Sequence, residues 1–393
     1  MSTKTKENFE AKLSRKVRSI SPSGIRKFFE LTIGMDDVIS LGVGEPDFVT
    51  PWHIREHAIF ALEKGYTMYT SNYGLLSLRE KIADYLEERY DISYSPKNQI
   101  LVTVGVSEGF DIALRAVLDP GDQVLIPEPG YVSYIPLTVM AGGDPVSVPT
   151  RPENGFKLTP SLIEKHITPK TKVLILNYPC NPTGSTYTRD QLLDIAAVAR
   201  KHDLIVISDE IYENLTYDSP HVCFSSLPGM LDRTGLLNGL SKSYAMTGWR
   251  IGYIASNEKF IEAMMKIHQY SILCAPILSQ MAAEEAFVRG DKAMRQMTGE
   301  YNKRRKFIVR EMNNLGLDCH MPEGAFYIFP SIRKTGLSSE EFCGRLLNEE
   351  KVAVVPGNAF GACGEGFIRC SYATSLDNLE EAVKKIEKFL RNK

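Results

Sequence analysis

The segment with the clearest chemical potential covers residues 238–252 and reads NGLSKSYAMTGWRIG. It places Ser241 directly before Lys242, and Arg250 follows that lysine by eight residues. A lysine amine beside hydroxyl groups and a guanidinium suits a nucleophile that works next to a bound phosphate, because those groups donate to phosphate oxygens. Taken alone, Ser-Lys-Ser is also compatible with a solvated surface lysine, the usual environment of this residue. The segment therefore has to be judged in its context.

Three other segments place polar groups after short apolar runs in the same way. Asp209 ends such a run, Asn-Pro-Thr-Gly at 181–184 follows the run at 172–176, and Gly-Val-Ser-Glu-Gly at 105–109 follows the run at 100–104. Open α/β sheets bind their ligands at the carboxyl ends of parallel strands. We therefore expect four strand ends, including the one before Ser-Lys, to bring polar groups to one edge of a sheet.

The elements that would position these groups are visible from about residue 100, where short runs rich in Val, Ile and Leu alternate with longer amphipathic segments. Helical periodicity, as in Arg189–Lys201, lies between most of the apolar runs and predicts an α/β domain with a mainly parallel sheet covered by helices. The predicted strands cover residues 100–104, 123–126, 172–176, 204–208, 235–239 and 251–255.

After residue 257 the pattern changes to long helical stretches that continue to about residue 315. A strand at 325–329, a helix near 338–348 and a strand at 352–355 then predict a smaller α+β domain. Residues 1–45 are too few, and too interrupted by Ser-Pro-Ser-Gly, to fold alone. We therefore predict a large domain of residues 46–290 and a small domain built from 1–45 with 291–393.

Composition narrows the classes of function. Among 393 residues, 46 basic and 48 acidic side chains give a net charge of -2, which provides no basic field for nucleic acid or an anionic membrane. The apolar runs are far shorter than the roughly 20 residues that cross a bilayer, and the N-terminus lacks the apolar core of a secretory signal. These features predict a cytoplasmic protein that acts on small molecules, without a nucleic-acid or membrane partner.

Neither a disulfide framework nor a metal site is predicted. The seven cysteines are scattered and contain no Cys-x-x-Cys pair. His53 and His57 have a helical ligand spacing of four residues, but the sequence offers no third ligand for them.

With SLGVGEPDF at 40–48 and FIRCSYA at 367–373 added to these segments, the sequence closely resembles the class I aminotransferases, the fold-type I pyridoxal 5'-phosphate enzymes. The resemblance is strongest to the branch of archaeal and bacterial aromatic and aspartate aminotransferases, and it spans nearly the whole chain. It implies a seven-stranded sheet covered by helices, with a smaller α+β domain. It also implies transfer of an amino group from an L-amino acid to a 2-oxo acid such as 2-oxoglutarate, by a ping-pong mechanism.

The resemblance implies a role for each residue around the cofactor ring. Lys242 would form the internal aldimine and later move a proton between the substrate α-carbon and the cofactor. Asp209 would pair with the pyridinium nitrogen and keep it protonated, so that the ring remains a strong electron sink. Asn181 and Tyr212 would hydrogen-bond the phenolic oxygen, and Tyr131 would stack on the ring.

The phosphate group of the cofactor would be held at the start of a helix by backbone amides, hydroxyls and a guanidinium. The residues implied are Gly105, Val106, Ser107, Ser241 and Arg250. Tyr69 aligns with a tyrosine that relatives extend across the subunit interface to this phosphate. The resemblance therefore implies a homodimer with shared active sites.

Arg369 resembles the family's clamp for the substrate α-carboxylate, with Asn181 and the backbone near Gly44 completing the site. The fork of arginine would fix which bond of the α-carbon stands perpendicular to the ring. Ile25 aligns with an apolar residue that covers the substrate side chain in relatives, and Tyr131 lies on the same pocket.

The expected substrate preference depends on the glycine loop. Relatives selective for aspartate supply a dedicated cation for its distal carboxylate, whereas this loop offers Ser107 and Glu108. Together with the apolar Ile25, this predicts that aromatic or bulky neutral amino acids are preferred. Arg26 keeps the aspartate and glutamate alternative open, because its guanidinium is able to hold a distal carboxylate.

Two alternatives to aminotransfer remain at this point. β-Lyases, decarboxylases and cyclase-type synthases on the same fold keep the lysine and the aspartate, because the reaction depends on which α-bond is cleaved. Some transcription regulators use this domain as a ligand sensor. The sensor would require a DNA-binding segment, for which the N-terminus shows no helix-turn-helix pattern.

Overall fold

The computed structural model describes residues 9–22, 24, 35 and 37–392. Ile25 and Arg26 lie outside the described residues. In chain order the strands are β1 Ile39–Ser40, β2 Ile100–Thr103, β3 Gln123–Glu128, β4 Asp144–Pro149, β5 Thr171–Asn177, β6 Ile205–Asp209, β7 Thr234–Gly239, β8 Gly252–Ala255, β9 Tyr327–Ile328, β10 Val352–Ala353, β11 Val355–Pro356 and β12 Ile368–Ser371.

The α-helices alternate with these strands through most of the chain. They are α1 Arg15–Ser19, α2 Trp52–Glu63, α3 Leu76–Tyr90, α4 Gly105–Val117, α5 Tyr134–Ala141, α6 Pro160–His166, α7 Arg189–Lys201, α8 Glu258–Ser271, α9 Ile277–Arg289, α10 Asp291–Asn314, α11 Ser339–Glu350 and α12 Leu376–Arg391.

The largest sheet among the described residues has seven strands in the order β2-β8-β7-β6-β5-β3-β4. The pairings of β7, β6, β5, β3 and β4 are parallel, and β8 runs antiparallel to both of its neighbours. Every residue of β2, β7 and β8 is buried, as expected for strands covered by helices on both faces. The predicted α/β class with a mainly parallel, helix-covered sheet is confirmed.

The six strands predicted for this sheet match the observed ones to within two residues at each end, but the sequence analysis missed its seventh strand, β4. This strand reads DPVSVP, pairs only with β3 among the described strands, and leaves most of its residues partly or fully exposed. Its two prolines and its aspartate are residue types that are rare in strands, so the sequence did not predict it. They are tolerated because an edge strand does not need every backbone donor for a second neighbour.

Local side-chain hydrogen bonds cap the ends of helices that flank the sheet. Thr188 caps α7 by accepting from the backbone N–H of Gln191, whose side chain accepts from the Thr188 N–H in return. This reciprocal capping box satisfies donors that a helix start leaves without partners. Helix α4 presents an apolar face that includes Phe110 and Leu114 and packs against α8.

The C-terminal part of the chain is built differently. Here β11, β12 and β9 form a three-stranded antiparallel sheet, and β1 pairs in parallel with β10, so that Ile39 lies opposite Val352. Helix α12 packs against both α10 and α11 around a core that includes Ile308, Phe342 and Phe389. The division into residues 46–290 and 1–45 with 291–393 stays a prediction.

In the part of the chain that the structure describes, none of the helices combines the length and apolar character needed to cross a membrane. The same residues contain no group of three His, Cys, Asp or Glu side chains arranged to hold a metal ion.

Candidate active site

A cavity of about 490 Å³ lies at the carboxyl ends of β5, β6 and β7, beside the first turn of α4. Several groups that the sequence singled out converge there from strand ends, loops and the C-terminal sheet. The predicted site residues that line the cavity are Gly44, Val106, Ser107, Tyr131, Asn181, Asp209, Tyr212, Ser241, Lys242, Arg250 and Arg369. Sequence positions more than 300 residues apart thus meet in one site, although the role of each residue stays a prediction.

Two of the predicted residues in the described chain do not line the cavity. Gly105 lies at its edge as the first residue of α4, directly beside Val106. Tyr69 lies outside it and is 80% exposed in the single chain. The placement of Tyr69 is the one expected for a residue that acts on another subunit, but nothing in the single chain assigns it that role.

Lys242 holds an amine whose acidity is changed by its surroundings. Its Nζ donates to the carbonyl oxygen of Gly44 at 2.7 Å. Withdrawal from water lowers the pKa of the Lys242 amine to about 8; the guanidinium groups of Arg369 and Arg250 add to this effect, whereas Glu45 opposes it. A neutral amine, the form that acts as a nucleophile, is therefore far more populated near neutral pH than in an ordinary lysine.

Asp209 ends β6 with its carboxylate directed into the cavity. Its Oδ2 accepts from the hydroxyl of Tyr134 at 2.7 Å, and its Oδ1 accepts from the backbone N–H of Ile211 at 3.2 Å. Burial nevertheless raises the pKa of the Asp209 carboxyl to about 6, because these two donors offset only part of the desolvation cost. The ionised carboxylate of Asp209 is therefore stabilised by any cation that binds beside it.

The raised pKa of Asp209 predicts a pH-dependent stability of the ligand-free chain. The folded carboxyl binds its proton more tightly than an ordinary one of pKa 3.8, so its stabilising contribution is complete below about pH 4 and is lost as the pH rises through about 6. We expect Asp209→Asn to gain up to about 3 kcal/mol over the parent chain between pH 4 and pH 7. Urea unfolding across this range measures the difference.

Asp218 provides the control of opposite sign for that experiment. Its carboxylate accepts from Arg305, and this hydrogen bond holds the pKa of Asp218 below its ordinary value. Asp218→Asn is therefore expected to be less stable than the parent by a constant amount above about pH 4, and this deficit should shrink only at lower pH, where the parent carboxyl takes up its proton. A pH-independent difference between Asp209→Asn and the parent would contradict the assignment of the buried charge.

The start of α4 and Arg250 form a cradle for an anion. The first N–H groups of a helix have no partner within the helix, and they carry the positive end of its dipole. Gly105 adopts a φ of +73°, and a Cβ there would lie 2.6 Å from Nη2 of Arg250. Only glycine lets the guanidinium come this close to the helix. Arg250 itself has a φ of 51°, an uncommon backbone conformation that recurs at functional sites.

Glu108 belongs to the same first turn but is held by partners outside the cavity. Its Oε1 lies 2.6 Å from Nδ1 of His268, and its Oε2 accepts from the backbone N–H of Val104. His268 is fully buried on α8. Glu108 therefore caps the helix and is absent from the cavity lining, so its charge does not face a substrate.

Arg369 lines the same cavity as Lys242, is buried, and has one guanidinium nitrogen without a partner among the described residues. Its Nη1 donates to Oδ1 of Asn181 at 2.9 Å, and its Nη2 donates to the carbonyl oxygen of Gly42. Its Nε has no hydrogen-bond partner within residues 37–392. Because Asn181 presents its oxygen to the guanidinium, its amide nitrogen remains available as a donor to another group. A buried guanidinium with an orphan N–H is suited to receive a carboxylate.

Some of the lining residues were missed by the sequence analysis. Asn177 lies opposite Asp209 in the parallel β5–β6 pairing and donates from Nδ2 to its backbone carbonyl at 3.1 Å. The strand-end argument that located Asp209 would have found Asn177 if the run had been followed one residue further. Tyr134 lies three residues after Tyr131, but no local pattern showed its contact with Asp209. No sequence pattern indicated that Tyr327 would line the cavity.

This set of residues fits a phosphorylated aromatic aldehyde. The cradle of Gly105 and Arg250 suits a dianion, and the Lys242 amine suits an aldehyde carbon. Asp209 is a buried anion suited to a protonated ring nitrogen, and Tyr131 offers a ring face beside it. The orphan Nε of Arg369 leaves a donor for a second, carboxylate-bearing molecule.

Comparison with known proteins gives relatives that belong to one enzyme family. The family model described as aminotransferase class I and II matches residues 36–386. Over 96% of the chain, and 98% of the relative, the sequence is 53% identical to the putative aminotransferase YugH of Bacillus subtilis. It is 49% identical to an aspartate aminotransferase of Pyrococcus abyssi over 97% of this chain and 99% of that protein.

The solved structures agree in fold. The crystal structure of an aromatic aminotransferase from Pyrococcus horikoshii OT3 superimposes with a TM-score of 0.89. The two sequences are 48% identical, and the match covers 94% of this chain and 99% of that one. The relatives thus include proteins named for aspartate and proteins named for aromatic substrates.

Proposed function

The chain belongs to the class I and II aminotransferases, and from this premise we propose that it binds pyridoxal 5'-phosphate at Lys242 and exchanges amino groups between L-amino acids and 2-oxo acids. The observation that carries the proposal is the meeting of Lys242, Asp209 and Arg369 around one cavity. A nucleophilic amine, a buried anion and a carboxylate clamp are the three groups that this chemistry requires.

When bound, the cofactor supplies a ring that accepts the electrons released at the substrate α-carbon. The protein contributes the rest. The amine of Lys242 attaches the cofactor and then moves the proton of the α-carbon. The Asp209 carboxylate holds a proton on the ring nitrogen, and this cation in turn relieves the cost of burying Asp209 as an anion.

Three further groups fix orientation. Arg369 would bind the α-carboxylate, and Asn181 holds that guanidinium through Oδ1. The amide nitrogen of Asn181 would then donate to the cofactor. Tyr212 donates to the phenolic oxygen. With the carboxylate held at one end, a single α-bond is aligned with the ring, and this alignment selects aminotransfer over other reactions of the same cofactor.

The test of this proposal is the half-reaction. With a suitable amino acid and no acceptor, the enzyme should release about one equivalent of 2-oxo acid per bound cofactor and then stop. Adding a 2-oxo acid should restart it, and initial rates at several acceptor concentrations should give the parallel lines of a ping-pong mechanism. Continuous release of product from the amino acid alone would instead indicate a lyase or a decarboxylase.

We propose aromatic or bulky neutral amino acids as the preferred donors. Within the described residues, the cations that line the cavity are Lys242, Arg250 and Arg369, and each already has a partner in the proposed chemistry. None of them is left for a distal carboxylate. Tyr131 and Tyr327 add aromatic surface to the same cavity, which favours a side chain that buries a ring.

This preference predicts an order of substrates. With 2-oxoglutarate as acceptor, kcat/KM for phenylalanine or tyrosine should exceed that for aspartate by about tenfold or more, because a ring gains burial whereas an unpaired carboxylate loses hydration. Leucine is the neutral, non-aromatic control and should fall between them. A ratio well below one would contradict the preference and support the aspartate alternative.

We also propose a homodimer in which Tyr69 of one subunit completes the phosphate site of the other. The support is the 80% exposure of Tyr69 together with the exposed apolar side chains in the chain segment before it, among them Trp52 and Met68. Exposed apolar side chains grouped in this way are typical of interfaces. Cytoplasmic residence stays a prediction from the sequence.

A further inference from the structure

Tyr327 is a buried cavity residue that contacts several groups on which the proposed function depends. Its hydroxyl lies 2.8 Å from the hydroxyl of Tyr212. Its ring lies 4.5 Å below the guanidinium carbon of Arg369. Its hydroxyl also approaches Gly44 so closely that a Cβ there would be 2.5 Å away. Tyr327 therefore joins the cofactor side of the cavity to the substrate side.

The position of Tyr327 beside Arg369 follows from the register of the C-terminal sheet. Tyr327 pairs with Ser371 across the β9–β12 ladder, and Arg369 is two residues from Ser371 on the same face of β12. Diagonal neighbours on one face of an antiparallel pair are within reach of aromatic and long side chains. The sheet thus fixes the ring of Tyr327 against the guanidinium of Arg369, and Phe360 packs on that guanidinium as well, at 4.9 Å.

The two tyrosine hydroxyls share one hydrogen bond, so one of them donates and the other accepts. Tyr212 has a single proton, and under the proposed function it donates that proton to the phenolic oxygen of the cofactor. Tyr212 is then restricted to accepting from Tyr327. The donor direction of the pair is thereby determined: the proton of Tyr327 points to Tyr212, and the proton of Tyr212 points into the cavity.

We propose that Tyr327 is a positioning residue that orients the Tyr212 proton toward the cofactor oxygen through its hydroxyl and supports the Arg369 clamp through its ring. This inference rests on the proposed function, because it assigns Tyr212 a cofactor to donate to. The two parts of the side chain have separable effects. The hydroxyl acts on the cofactor, whereas the ring acts on the substrate carboxylate.

Tyr327→Phe tests the hydroxyl in the loaded enzyme, with the absorbance of the bound cofactor as the readout. Without a donor behind it, Tyr212 becomes a weaker donor, and the ionised phenolic oxygen loses part of its stabilisation. We expect the pKa at which the cofactor absorbance titrates to rise by about half a pH unit. The dissociation constants of amino acids should stay within about twofold of the parent values, since the ring is kept.

Two variants control for a merely structural effect. Phe360→Leu removes the other ring packed on Arg369, so it should weaken amino-acid binding a few-fold and leave the absorbance titration in place. In a Tyr212→Phe background, adding Tyr327→Phe should cause no further shift, because the hydroxyl acts only through Tyr212.

The outcomes separate this inference from the proposed function. A parent enzyme without a cofactor absorbance that depends on Lys242 overturns the proposed function and this inference with it. If the cofactor absorbance of the parent titrates with pH and Tyr327→Phe leaves that titration unchanged, only the proposed role of Tyr327 is overturned. The same result follows if the Tyr327→Phe shift persists undiminished in the Tyr212→Phe background.

Discussion

Lys242→Ala is expected to lower kcat by several orders of magnitude, on the order of 10⁴, while the chain folds and still binds the cofactor without a covalent bond. The loss is large because one amine serves both as the attachment point and as the group that moves the α-proton. The phosphate cradle of Gly105 and Arg250 does not involve this amine, so binding persists. Reduction with borohydride followed by mass spectrometry should fix the cofactor to the parent chain and not to the variant.

The pKa of Lys242 adds a pH signature to this experiment. With a pKa of about 8, roughly a quarter of the amines are neutral at pH 7.5, compared with about one in a thousand at the ordinary value of 10.5. The rate of covalent attachment in the parent should therefore rise with pH and level off above about 8. Lys157→Ala is the matched control, since Lys157 is a partly buried lysine outside the cavity that pairs with Glu323. Near-normal turnover in Lys242→Ala would refute the assignment.

The groups that lie at the sheet edge where the sequence placed them are those governed by a local rule. Asp209 and Lys242 follow strands whose apolar composition is visible in the sequence, and parallel strands deliver their carboxyl ends to one edge. The sheet itself was predictable for the same reason. Strand β4 was not, because an edge position tolerates the prolines and the exposed Asp144 that the composition rule treats as signs of a turn.

Two features that the sequence could not predict, the place of Tyr327 in the site and the direction of Glu108, depend on contacts between distant parts of the chain. Tyr327 reaches Tyr212 across 115 positions, and Glu108 is held by His268 across 160 positions. No periodicity encodes either contact. The direction of Glu108 mattered most for function, because a carboxylate facing the substrate and a carboxylate capping a helix have the same local sequence. Tertiary packing alone decides between them.

Arg369→Leu is expected to raise the dissociation constants of all amino acids and all 2-oxo acids together, by about two to three orders of magnitude, and to leave cofactor affinity nearly unchanged. The guanidinium binds the α-carboxylate, which every substrate shares. Losing a pair of charge-assisted hydrogen bonds accounts for an effect of this size. Arg369→Lys keeps the positive charge but loses the planar fork, so it should recover only part of the affinity. Substrate-induced changes in cofactor absorbance give the dissociation constants directly.

A buried arginine elsewhere in the chain separates clamping from folding in that experiment. Arg305 is 1% exposed, stacks at 4.4 Å on Tyr217 and pairs with Asp218, so its surroundings resemble those of Arg369, but it does not line the cavity. Arg305→Leu should lower the free energy of unfolding by about 1–3 kcal/mol, because the carbonyl of Pro322 loses its donor, and leave substrate dissociation constants unchanged. Arg369→Leu should lower stability as well, because Asn181 and Gly42 lose their donor, and it should weaken substrate binding in addition. An effect of Arg369→Leu on aspartate but not on phenylalanine would move Arg369 from the α-carboxylate to the side-chain pocket.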